Sequence, residues 1–132
     1  MPRLPTGTLV VVADGEKARW FRNVGDGKEL QLRQETMMDA HDIFPQGPSG
    51  VAPPELAGQD KDEASFAMHI ADRLNHGALN HEYADLVLVA DPQTLGKMRP
   101  QLHKETLARL RGEVAKTLTN SPLEDITGAL DA

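Results

Sequence analysis

Cysteine is absent from this sequence, which excludes a disulfide framework and thiolate catalysis and fits a reducing compartment. Aromatic residues are scarce, with one Trp, one Tyr and three Phe, and this argues against a platform that stacks single-stranded bases. No apolar run approaches the roughly 20 residues of a membrane-spanning helix. The opening stretch MPRLPTGTLVVVADG has no apolar signal segment ending in a small-residue cleavage site, so the reading is a soluble cytoplasmic protein with no membrane span. Neither G-x-G-x-x-G nor a G-x-x-x-x-G-K-[ST] loop occurs at a strand-to-helix junction, and no nucleotide or other cofactor is expected. The formal net charge of −6 excludes coating of nucleic acid by bulk attraction, although a local basic patch stays compatible with it.

What is present is one domain, residues 1–132, with an ordinary share of apolar residues at 39%. Thr8 to Ala13 is an unbroken apolar, β-branched run between Gly7 and Asp14-Gly15, the pattern of a strand buried on both faces and ended by a turn. Lys17 to Val24 alternates, Gly25-Asp26-Gly27 turns, and Glu29 to Thr36 alternates again. These segments predict a three-stranded antiparallel meander. From Met37 to Asp60 the chain is rich in Pro and Gly without a period, so a long functional or mobile loop is expected at 37–60.

Asp62 to His76 carries Phe66, Ala67, Ile70, Ala71 and Leu74 on one apolar stripe, the signature of a helix packed on a core. Asp85 to Ala90 is a second continuous apolar strand, and Asp91-Pro92 is a helix start, with Asp suited to the cap and Pro to the first turn. That helix extends, with a break at Pro100, to about Arg109. Gly112 to Thr119 reads as a last strand and Leu123 to Leu130 as a terminal helix. The order predicts an α/β fold of ribonuclease-H-like topology: an antiparallel meander plus two parallel strands in one mixed sheet, joined by crossover helices.

Several groups of residues invite a chemical reading. If the two apolar strands are parallel neighbours, Asp14 and Asp91 leave the sheet at one edge, and Asp62 or Glu63 can approach from the next helix. Such carboxylates can hold Mg²⁺ for phosphodiester hydrolysis. Each also has a structural role as turn residue, cap or first-turn acid. His69, Asp72 and His76 share the helix face opposite the apolar stripe, where imidazoles could meet zinc; solvated surface is the commoner state of such groups. Lys97, Arg99, His103, Lys104, Arg109 and Arg111 make a basic run, which Lys17, Arg19, Arg22 and Arg33 of the meander could extend into a patch for RNA backbone.

The segments LVVVADGEKARWFRN, SFAMHIADRLN, DLVLVADPQTLGKMRPQL and EVAKTLTNSPLEDITGAL together resemble the bacterial host attachment proteins. These are also described as bacterial relatives of the middle domain of archaeal and eukaryotic class 1 peptide-chain release factors. The most specific parts are P-x-T-L-G (Pro92, Thr94, Leu95, Gly96) and L-T-x-x-P (Leu118, Thr119, Pro122). The resemblance implies a release-factor-middle-domain-like fold and association with the ribosome or structured RNA. In release factors a Gly-Gly-Gln loop before a long helix assists ester hydrolysis. The corresponding stretch is Ala57-Gly58-Gln59, where the Cβ of Ala57 replaces the freedom of the first Gly.

The sequence therefore points to a non-catalytic interaction module of the host attachment family, ribosome- or RNA-associated, and away from an enzyme. One alternative is a metal-dependent nuclease or hydrolase using Asp14, Asp91 and Glu63. Another is a factor for attachment to host cells that acts through partner proteins.

Overall fold

The computed structural model describes residues 4–26, 28–40 and 58–131, with the side chains of 58–63 outside that description. In chain order the elements are β1 (Leu9–Ala13), β2 (Lys17–Asn23), β3 (Leu32–Asp39), α1 (Gly58–Leu79), β4 (Leu86–Ala90), α2 (Pro92–Met98), a 3₁₀ turn (Arg99–Gln101), α3 (Lys104–Arg109), β5 (Leu110–Ala115) and α4 (Leu123–Asp131).

The two apolar runs become the central strands, because only a position covered on both faces buries every residue of LVVVA and LVLVA. β1 and β4 pair in parallel, Leu9 opposite Leu86 and Ala13 opposite Ala90. The sheet order is β3-β2-β1-β4-β5, antiparallel on the meander side and parallel from β1 to β5. This is the ribonuclease-H-like mixed sheet expected from the sequence.

Strand alternation divides the core in two. Leu9, Val11, Leu86 and Leu88 face α1 and α2, packing with Phe66, Ile70, Leu74, Leu95 and Met98. Val10, Val12, Val87 and Val89 face the other way and meet Phe21, Ile126 and Leu130, so α4 closes that side. Phe66, Ile70 and Leu74 are at most 1% exposed, and each such side chain contributes about 1.5–3 kcal/mol by leaving water.

Both ends of the expected 37–60 loop are shorter than the sequence suggested. Met37 and Met38 continue β3, paired with Arg19 and Ala18; a strand needs only ladder partners, and the alternation read from side chains had faded there. α1 begins at Gly58, four residues before Asp62, because its first turn is polar and carries no apolar stripe to announce it. The rest of that loop, 41–57, lies outside the described residues. β5 also differs, running from Leu110 directly after α3 and ending at Ala115. The chain beyond it leaves the sheet to reach the end of β1.

Candidate functional site

Because Ala13 and Ala90 are paired in parallel, Asp14 and Asp91 emerge side by side at the C-terminal edge of the central strands. One oxygen of Asp14 accepts from the Glu16 and Lys17 amides, each at 2.7 Å. The other accepts from the Thr119 hydroxyl. Asp91 has the extended backbone of a cap and accepts from the Thr94 amide at 3.0 Å and the Thr94 hydroxyl at 2.7 Å. All four carboxylate oxygens are thus engaged with the protein's own donors. The side chains of Asp62 and Glu63 lie outside the description, and among the described residues no three His, Asp or Glu side chains gather as a metal site.

Asp14 belongs to a clasp. Arg19, on the adjacent strand, donates to the Thr119 carbonyl at 3.3 Å and the Ser121 carbonyl at 2.9 Å while its guanidinium lies 4.9 Å from the centre of the Phe21 ring. Two residues of the first hairpin therefore fix the backbone and the side chain of the segment that leads into α4. This geometry gives Arg19 a structural duty and removes it from a freely available RNA patch.

Four other arginines are similarly occupied. Arg99 forms a two-pronged pair with Glu113, and Arg111 pairs with Asp85. Arg109 donates to the Tyr83 carbonyl at 3.0 Å and to the Glu105 carboxylate at 3.2 Å. Arg22 holds Glu35 at 3.1 Å and donates to the Gly7 and Glu82 carbonyls. Lys104 is exposed at the start of α3. Arg33 stands on edge strand β3, whereas Arg99 and Arg111 lie toward β5 at the opposite edge of the sheet; Arg22 and Arg109, by contrast, converge on the adjacent Glu82 and Tyr83 carbonyls.

A family model described as bacterial archaeo-eukaryotic release factor family 12 matches residues 7–130. The chain belongs to this family. No curated protein matches it. The release-factor half of the resemblance is thereby established, and the host attachment name is no part of the match.

In the family 12 domain the two motifs acquire physical content. Pro92 occupies the first turn of α2, Thr94 supplies both donors to the Asp91 cap, and Leu95 is 1% exposed against the core. Thr119, the T of L-T-x-x-P, is 4% exposed and gives its hydroxyl to Asp14. Gly58 and Gln59 already belong to the backbone of α1, so they do not form a loop ahead of the helix as the sequence suggested. Ala57 and the Gln59 side chain fall outside the description. On α1, His69 is half-buried and Asp72 and His76 are exposed.

Sequence reasoning missed two features of the family 12 domain. One is the Arg19 clasp, whose only signal was an unexplained Thr119 in a motif. The other is a cleft where β2 and β3 meet α1 and the entry to β4, lined by Trp20, Arg22, Glu35, Arg73, Glu82 and Tyr83. Burial pushes the Tyr83 phenol above its ordinary value, opposed by Thr106 and the Arg109 charge, and the hydroxyl donates to the Leu74 carbonyl at 2.6 Å.

Proposed function

We propose that this family 12 domain is a non-catalytic interaction module that associates with the ribosome through RNA backbone contacts from its α2–α3 segment. The family match over residues 7–130 carries the reading, because a relative of a release-factor domain finds its natural partner in the translation machinery. The charge distribution supports it. Residues 97–111 hold Lys97, Arg99, Lys104, Arg109 and Arg111 against the single acid Glu105, in a chain whose net charge is −6. Pairing with Glu113 and Asp85 tempers the field of this segment but fixes Arg99 and Arg111 in place, and a held guanidinium loses less freedom on meeting phosphate. The engaged oxygens of Asp14 and Asp91 favour a binding role over hydrolysis at that edge.

Sedimentation of the purified protein with 70S ribosomes and isolated subunits through a sucrose cushion, at low and high salt, tests the proposal. Retention that persists at moderate salt and falls in Lys104→Ala and Arg99→Ala is the expected outcome. Absence from the pellet at every salt concentration would overturn it.

A further inference from the structure

The cleft between the meander and α1 has a volume of about 220 Å³, below the range of about 300–1,000 Å³ that holds drug-sized ligands. A nucleotide exceeds it, whereas a molecule of amino-acid size does not. Its floor is formed by Leu9, Leu74, Trp20 and Tyr83, each at most 6% exposed, and its rim is charged at Arg73 and Glu82.

The polar groups differ in how far the protein already satisfies them. Arg22 is spent on Glu35 and on the Gly7 and Glu82 carbonyls. Arg73 and the Glu82 carboxylate are exposed and have no hydrogen-bond or ion-pair partner among the described residues. Trp20 is only 5% exposed, yet among the described residues its indole N–H has no acceptor and no buried side-chain nitrogen is left unsatisfied. The nitrogen therefore sits on the small part of the ring that reaches solvent. A floor of mostly buried apolar side chains is thus bordered by an unspent cation, an unspent anion and a neutral donor. The two cations and two carboxylates of the lining cancel, so a simple anion or a simple cation gains little from the site, while a molecule carrying both charges can satisfy both ends.

We infer that this cleft is a binding site for a small zwitterion of the α-amino-acid class with an apolar side chain. The ligand carboxylate meets Arg73 and the Trp20 N–H, the ammonium meets Glu82, and the side chain lies against Leu74 and Tyr83. The inference does not depend on ribosome binding.

Trp20 is the only tryptophan of the chain, so its emission reports the cleft directly. Titration with L-leucine is compared with leucinamide, which lacks the carboxylate, and with 4-methylpentanoate, which lacks the ammonium. Arg73→Gln and Glu82→Gln, both at exposed positions, are titrated after their melting curves confirm folding. The expected result is a saturable emission change with L-leucine, about tenfold weaker or more for each analogue and each variant, as loss of one charge-assisted hydrogen bond implies. No saturable change with L-leucine would overturn the inference. So would an equal response to 4-methylpentanoate, or binding indifferent to both substitutions; the analogue series needs no variant.

Discussion

The Thr119 hydroxyl donates to the Asp14 carboxylate across 105 positions of sequence, and the same Asp14 turns the chain from β1 into β2 through the Glu16 and Lys17 amides. One side chain thus ends a strand and anchors the segment leading to the last helix. Thr119→Val keeps the shape and deletes the donor, with Thr119 4% exposed. The expected loss is about 1–3 kcal/mol by urea unfolding, since a hydrogen bond to a charged group disappears. Asp14→Asn combined with Thr119→Val should cost less than the two single losses added together, because they remove the same contact.

Asp91 caps α2 with both oxygens on Thr94. Asp91→Ala is expected to cost about 1 kcal/mol, the usual value of such a cap, and to leave ribosome sedimentation unchanged. Asp91→Asn, which retains an acceptor, should recover most of the loss in the same unfolding measurement.

Tyr83 gives an alkaline signature. Its folded-state pKa is raised by burial, so above the ordinary phenol value of about 10 the unfolded chain releases the proton first and stability falls as pH rises. Below that pH the protonated phenol is common to both states and the effect vanishes. Tyr83→Phe should therefore flatten the decline above pH 10 in urea midpoints while losing, at neutral pH, the hydrogen bond to the Leu74 carbonyl.

Two helical glycines should respond with opposite signs. At Gly96 an added Cβ meets nothing within 4 Å, so Gly96→Ala is expected to stabilise by about 0.5–1 kcal/mol through helix propensity. At Gly77 the Cβ would stand 2.9 Å from the Tyr83 ring, and that ring is held by its own hydroxyl, so Gly77→Ala should lower the melting temperature.

The sequence disclosed the fold where burial and periodicity coincide. The LVVVA and LVLVA runs, the Phe66-Ile70-Leu74 stripe and Asp91-Pro92 each have one physical solution, and together they imply the parallel centre. Element ends were less legible, because Met37 continues a strand by ladder bonds and the α1 stretch that opens at Gly58 has no apolar stripe in its first turn. The site was least legible of all. Arg99 and Arg111 read as a cationic surface, while the acids that hold them, Glu113 and Asp85, come from other elements. Nothing in local pattern reveals that Arg19 reaches carbonyls 100 and 102 positions away, or that Trp20 borders a cleft.

The back of the sheet is sealed by Ile126 and Leu130 of α4, an element made only after every strand has been synthesised. On a translating ribosome, where domains fold from the N-terminus onward, Val10, Val12, Val87 and Val89 have Leu4, Phe21 and Leu32 in their cluster but lack the Ile126 and Leu130 side chains until α4 leaves the exit tunnel. The nascent chain carries a partly covered valine-rich face during that interval, and the grip of Arg19 on Thr119 and Ser121 holds the segment from which α4 closes it.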